Sequence, residues 1–491
     1  MRESGILMHI TSLPGPYGIG TMGAGAFQFL DFLKQAGQGY WQILPLSPTG
    51  FGDSPYQAFS THAGNHYLID LDIFVQEGLL RQEELASVSW GEAPGRVDFG
   101  KQYAERTRIL KLAQSRFQPD EAYQQFLEEN SHWLEDYCLF MAIKNHLGGC
   151  VWTQWPDELK FRNPEALAAL KTKLSEDISL HSFAQYQFDR QWKALRQYAG
   201  SLGIRIIGDV PIYVPLDSAD VWAEPELFQL DDSRNPRKVA GCPPDAFAAD
   251  GQLWGNPLYD WKKMADTGYA WWIDRLGAAA KMYDVIRFDH FRGFESYWSV
   301  PAGDPTARNG HWEPGPGLDF IQAIQKALPD LDFIAEDLGF ITPEVRKLQE
   351  DSGYPGMKVL EFAFDSREES DYLPHLYPVN SVCYTGTHDN EPLAQWFETA
   401  SAQDIAFAKA YLGLNEEEGF IWGMIRGTMG SVSRLCVIQM QDYLELGREA
   451  RMNFPGTLSA DNWTWRARPG FDSDDLAKRI YAVTKRYGRI N

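Results

Sequence analysis

The chain has 491 residues, with 45 Lys and Arg against 67 Asp and Glu and a formal net charge of −22. That balance excludes a nucleic-acid backbone or an anionic lipid surface as the main partner, because both attract positive charge. Hydrophobic residues at 44% and charged residues at 23% are ordinary globular values, and no apolar run approaches the ~20 residues of a membrane-spanning helix.

The first ten residues, MRESGILMHI, hold an acid and too short an apolar stretch for a secretory leader. GILMHITSL, Gly5 to Leu13, reads as a strand, and Phe27, Leu30 and Leu33 mark one face of a helix that stops at Gly37. YWQILPL, Tyr40 to Leu46, is a second strand. Polar helical patterns then lie around Gln82, Lys101 to Phe117, Glu121 to Leu147 and Asn163 to Asp177. A helix marked by Phe188, Trp192, Leu195 and Gly200 leads into a third strand, IRIIGDVPIYV from Ile204. The stretch Val214 to Asp260 is rich in Pro, Asp and Gly and reads as a long loop. Further strands begin at Val285, Asp332, Met357, Ser381 and Ser433, and a last helix runs from Asp474 to Tyr487.

Eight strands alternating with helices predict an α/β protein, a closed (β/α)8 barrel rather than an open sheet. The gap from Leu46 to Ile204 far exceeds one crossover. The expected organisation is one catalytic barrel over 1–491. It carries a mostly helical insertion at 51–185, a loop-rich insertion at 215–262 and no C-terminal β-domain. Cys138, Cys150, Cys242, Cys383 and Cys436 are far apart in sequence with no C-x-x-C. A cytoplasmic protein without disulfides or a thiolate metal site is expected.

Two motifs are set aside. Gly18 to Gly23 matches G-x-G-x-x-G between a strand and a helix, but the second strand ends in Leu44-Pro45-Leu46, with no acid for a ribose hydroxyl. It reads as a glycine-rich barrel loop, which leaves an NAD-linked reductase without support. His62 and His66 are spaced as metal ligands only on a helix, and PYQAFSTHAGNHYL lacks the Glu of a zinc hydrolase.

The strongest signal is positional. Asp209, Asp289, Glu336 and Asp389 each fall at the C-terminal end of a predicted strand, the face where such barrels place catalysis. Arg287 lies two before Asp289, and alternation on a strand puts both on one face. Retaining cleavage of a glycosidic bond needs a nucleophilic carboxylate and a second carboxyl that acts as acid, then base. Arg287 would keep the nucleophile ionised, while crowding and burial would raise the proton affinity of the acid. The 14% aromatic content suits a cleft whose ring faces stack on sugars.

GDVPIYV, IRFDHFRG, AEDLG and THDN occur in order, each on its expected strand, with DSPYQ at Asp53, PPDAF and GQLWGNPLY from Pro243, and RMNFPGT and NWTWR from Arg451. In these motifs the chain resembles the α-amylase superfamily, and within it the 4-α-glucanotransferase branch, glycoside hydrolase family 77. The resemblance implies that Asp289 is the nucleophile, Glu336 the acid/base and Asp389 the stabiliser of the transition state. It implies that Arg287 and His388 hold the reacting glucose, that Asp209 orients the site, that Tyr56 stacks on the sugar and that His290 lines the acceptor side. Asp245 and Trp254 fall in the loop that covers the cleft, and Asn453 joins the substrate-binding set. No metal and no cofactor are expected. The implied partners are an α-1,4-glucan donor and a glucose or maltooligosaccharide acceptor, with the chain a monomer or homodimer. The alternatives are an α-glucan hydrolase and a non-catalytic glucan-binding protein.

Overall fold

The computed structural model describes residues 2–50, 52–244, 249–339, 341–367 and 370–490. Its strands in chain order are β1 (Glu3–Leu7), β2 (Tyr40–Gln42), β3 (Arg205–Pro211), β4 (Lys238–Cys242), β5 (Gln252–Pro257), β6 (Val285–Asp289), β7 (Ser296–Pro301), β8 (His311–Pro314), β9 (Asp332–Ala335), β10 (Gly356–Val359), β11 (Ser381–Tyr384) and β12 (Leu435–Gln439). Eight of them close into a parallel barrel in the order β1-β12-β11-β10-β9-β6-β3-β2. These are the eight strands expected from the apolar runs. Several are shorter than expected: β1 ends at Leu7, and the chain then enters a 3-10 turn at Ile10–Ser12.

Strict alternation divides the barrel into two cores. Leu7, Ile207, Val285, Ile334, Met357, Val359, Val382, Tyr384, Leu435 and Val437 fill the interior. Their neighbours one residue away, including Ile6, Ile206, Ile286, Phe288, Phe333, Cys383 and Cys436, pack outward against the helices. Phe288 and Phe333 stack at 4.8 Å with planes 3° apart, fixing β6 against β9 from outside. Because residue 285 faces in, so do Arg287 and Asp289.

The glycines of the rejected phosphate motif serve packing. A Cβ on Gly18 would lie 2.0 Å from the Trp90 carbonyl oxygen, one on Gly20 1.9 Å from that of Ile10, and one on Gly23 2.0 Å from the Asp70 carboxylate. The segment is glycine-rich because other parts of the chain press on it.

Among the described residues between β2 and β3 lie eight α-helices, from Leu71–Gln76 to Ser175–Ser201. The long last helix holds the loop that leaves the barrel mouth: Gln185 pairs with the main chain of Gly64, and Gln191 with that of Asp70. The other addition is an antiparallel sheet in the order β5-β4-β7-β8. Its β4 and β5 come from the stretch read as loop. Alternation there is short and interrupted by Gly and Pro, so pairing with β7, contributed from beyond Asp289, is what organises it. None of the five cysteines forms a disulfide, and none of the described helices is long and apolar enough to cross a membrane.

Trp41 shows how β2 is held. Its fully buried ring meets Phe29 edge-on at 5.2 Å, and its indole N–H donates to the Met8 carbonyl at 2.8 Å. Trp41→Ala should cost about 3–5 kcal/mol. A urea or thermal midpoint equal to that of the wild type would contradict this packing.

Candidate active site

The site is built around one guanidinium. Arg287 stands in the middle of β6 with its side chain 4% exposed. One of its terminal nitrogens donates to both oxygens of Asp209, at 2.8 and 2.6 Å, and to Asp289 at 3.2 Å. Its other terminal nitrogen lies 3.6 Å from Glu336. The strand register makes this possible. Asp209 on β3 is the direct partner of Arg287 on β6, and both point inward. Asp289 is the last residue of β6, and Glu336 follows the last residue of β9. Burial works against the charge on Arg287, but Asp209, Glu336 and Asp289 outweigh it and hold its pKa well above the usual value.

The two carboxyls at the mouth are not equivalent. Burial raises the pKa of both. At Asp289 it is opposed by the ion pair and the hydrogen bond from Arg287. At Glu336 Arg287, reached only at longer range, opposes it too, while the nearby Asp289 charge raises it further. The neighbours therefore favour a proton on Glu336 and charge on Asp289, the pairing needed by an acid beside a nucleophile. Glu336 also accepts from the His290 main-chain N–H. His290 can present that N–H because its backbone is left-handed, with φ 54°, so the chain reverses directly after β6.

Asp389 arrives by a different route. It lies on the loop after β11, with its side chain 45% exposed. Asn390 ties the loop by accepting from the N–H and hydroxyl of Thr387, each at 2.9 Å. Asn453 donates to the Asp389 carboxylate at 2.7 Å, and Arg451 donates to its main-chain oxygen at 3.0 Å. His388 Nε2 lies 3.4 Å from the same carboxylate. Tyr56 donates to Asp209 at 2.7 Å, and its ring stacks on His388 at 5.2 Å with planes 17° apart. Trp254 on β5 meets His290 edge-on at 4.8 Å.

Ten of the expected residues, Tyr56, Asp209, Trp254, Arg287, Asp289, His290, Glu336, His388, Asp389 and Asn453, thus form one contiguous cluster through the contacts given above. Asp245 and the neighbouring Phe247 lie outside the described residues. Asp337, next to Glu336, is turned away and used structurally: its carboxylate accepts from the Met357 N–H at 2.6 Å, joining β9 to β10.

Sequence reasoning missed several members. Trp463 stands 5.8 Å from Tyr56 and 6.0 Å from His388, completing an aromatic rim. Its place beside the mouth depends on a hydrogen bond from its N–H to the Met452 carbonyl at 2.7 Å. Beneath the Asp389 loop lie two further acids. Asp442 accepts from the Thr385 hydroxyl at 2.5 Å and from the Leu393 N–H at 2.8 Å, and burial raises its pKa to about 7. Glu361 is raised well above the carboxylate range by burial and by Asp442 and Glu391. A Cβ on Gly386 would stand 2.7 Å from Gln439 Nε2 and 3.0 Å from the Glu361 carboxyl, so glycine lets the loop sit directly on this layer. The only sequence trace of the layer is acidic residues inside apolar segments, LEFAF and MQDYL.

The closed barrel and the paired carboxyls at its C-terminal face place the chain among barrel enzymes that break and remake glycosidic bonds. Comparison with known proteins narrows this. The family model described as 4-alpha-glucanotransferase matches residues 8–472. The 4-alpha-glucanotransferase of Thermus thermophilus is 48% identical, over 100% of this chain and 99% of its own length. That of Clostridium butyricum is 47% identical, over 98% and 100%. A solved amylomaltase from Streptococcus agalactiae, in complex with acarbose, superposes with a TM-score of 0.97 at 42% identity, covering 100% of both chains. The chain belongs to the 4-alpha-glucanotransferase family.

Arg287→Met removes the shared cation and leaves three carboxyls packed together. We expect a loss of about 3–5 kcal/mol at neutral pH. The loss should shrink toward pH 4, because carboxyls whose folded-state pKa is raised cost stability only as pH climbs above their unfolded values. Denaturation midpoints at pH 4.5 and 8 check this, and an equal loss at both would refute the shared-cation account.

Proposed function

We propose that this protein is a 4-α-glucanotransferase that moves α-1,4-glucan segments between maltooligosaccharides by retaining double displacement. The observation that carries the mechanism is the bridging of Asp289 and Glu336 by the single Arg287 side chain. Such an arrangement suits a nucleophile and an acid/base lying close together on one bond. In the first step Glu336 gives its proton to the glycosidic oxygen as that oxygen leaves. An Asp289 oxygen bonds to the anomeric carbon, forming a glycosyl-enzyme with inverted configuration. In the second step ionised Glu336 takes the proton from the 4-hydroxyl of an acceptor. The acceptor oxygen then displaces Asp289 with a second inversion. Asp389, held by Asn453 and beside His388, is placed to bind ring hydroxyls of the reacting glucose, and Tyr56 to pack on its face.

Transfer must outcompete water at ~55 M, which requires a bound, oriented acceptor and a covered cleft. The β5-β4-β7-β8 sheet, bringing Trp254 against His290, is the candidate cover on the acceptor side. Five cysteines without a disulfide suit a reducing cytoplasm.

With maltotriose as sole substrate, we expect longer and shorter chains at a constant number of reducing ends. Asp289→Asn should remove at least ~10³-fold of the rate while leaving the thermal midpoint near that of the wild type. Rising reducing ends with only shorter products would turn the reading to hydrolysis, and an active Asn variant would remove Asp289 from its role.

The pH profile tests the assignment of the proton. Activity needs Asp289 ionised and Glu336 protonated, and both pKa values lie above the ordinary carboxylate range near 4. The profile of kcat/KM should be bell-shaped, with an acid limb at unusually high pH for a carboxylate and an alkaline limb from the pair losing its second proton. Glu336→Gln should abolish the alkaline limb, and persistence of that limb would assign it to another group.

A further inference from the structure

Outside the cleft, two imidazoles and a carboxylate converge from three separate parts of the chain. His62 lies on the loop that follows Tyr56, His132 in the first turn of the helix Ser131–His146, and Asp274 in the helix Ala270–Met282 that leads into β6. His62 Nε2 is 3.0 Å from one Asp274 oxygen, and His132 Nε2 is 3.6 Å from the other. All three potential ligand atoms lie within 4.8 Å of one another. His66, the sequence neighbour of His62, is not part of the group.

The hydrogen bonds of His62 show what this cluster lacks. Its ring is 7% exposed and stacks on Trp133 at 5.8 Å. Its Nδ1 lies 2.9 Å from the Thr61 hydroxyl oxygen, and that hydroxyl spends its single proton on Asp220, at 2.5 Å. Nδ1 must therefore be the donor, to Thr61. In the neutral ring Nε2 then carries a lone pair, pointed at a carboxylate 3.0 Å away. Two acceptors do not meet at that distance without a cation between them or a proton on Nε2. The second imidazole on the other Asp274 oxygen brings three potential ligand atoms to one point, where a single cation can be shared by all three groups.

We propose that His62, His132 and Asp274 form a binding site for a divalent transition-metal ion of the zinc type, ligated through Nε2 of each imidazole and the Asp274 carboxylate. Two imidazoles and one carboxylate are a donor set that borderline cations such as Zn²⁺ favour over Mg²⁺ or Ca²⁺. The chain from Nδ1 through Thr61 to Asp220 is the outer support such a ligand needs, since it fixes the tautomer with Nε2 free. On binding, zinc takes the place of any proton on Nε2, which leaves to solvent. The half-exposed His132 and Asp274 leave the remaining coordination positions to water, so the site closes by small side-chain movements to metal–ligand distances near ~2.0–2.2 Å. The consequence is structural. The ion ties the loop carrying Tyr56 and a helix of the large insertion to the helix preceding the nucleophile strand.

The test uses the full-length protein stripped with a chelator and titrated with zinc chloride at pH 7.5 by calorimetry, with cobalt(II) absorption as a second probe. We expect one zinc per chain, a higher thermal midpoint with zinc, and tetrahedral or five-coordinate cobalt bands. His132→Ala and Asp274→Asn each alter a half-exposed side chain, and each should weaken zinc binding by at least ~10-fold. Both should retain the metal-free rate of maltotriose disproportionation. Absence of zinc uptake by the wild type, or uptake by both variants with wild-type affinity, would overturn the proposal, the latter placing zinc elsewhere.

Discussion

One buried guanidinium holds the mouth of this barrel together. Arg287 is surrounded by Asp209, Asp289 and Glu336, and without it three carboxyls drawn from three strands would repel one another in a poorly solvated space. Charge pairing of this kind is weak evidence for net stability, because desolvation offsets the Coulomb gain. Its value here is geometric. A planar cation with two terminal nitrogens can satisfy several carboxylates in fixed directions, so it both gathers the acids and differentiates them. The acid that Arg287 hydrogen-bonds is the better anion. The acid reached only at longer range keeps a proton more readily.

The rest of the fold serves to deliver that constellation. Alternation along β3 and β6 turns Asp209, Arg287 and Asp289 inward, while the stacked pair Phe288 and Phe333 clamps β6 against β9 from outside. The Asp389 loop has no strand to stiffen it. It rests on Asp442, Glu361 and Asn390 below, and on Arg451 and Asn453 from the C-terminal segment above.

The additions to the barrel divide the remaining work. The helical insertion between β2 and β3 grips the chain around Gly64 and Asp70 through paired glutamine amides. That grip sets where Tyr56 and His62 sit. The antiparallel sheet takes strands from either side of β6, so it is covalently continuous with β6 at Asp289. Trp254 meets His290 through that continuity.

Much of this was legible in the order of residues. Eight short apolar runs separated by amphipathic helices identify the barrel, because period-2 and period-3.6 patterns are local properties of the chain. Acids at strand ends identify its working face for the same reason: Asp289 and Glu336 need only the strand and its direction to be located. What the sequence could not carry was everything made by contact between distant segments. Trp463 joins Tyr56 from a segment some four hundred residues away, Glu361 and Asp442 meet beneath a third segment, and β4 and β5 become strands only by pairing with each other and, through β4, with β7. The spacing of His62 and His66 rightly argued against a ligand pair, but nothing in it could show that His62 lies beside His132 and Asp274. Local periodicity determined the barrel and the positions of its acids. Tertiary packing decided which acid keeps the proton, because protonation depends on burial and on charges that the chain brings together only when it closes.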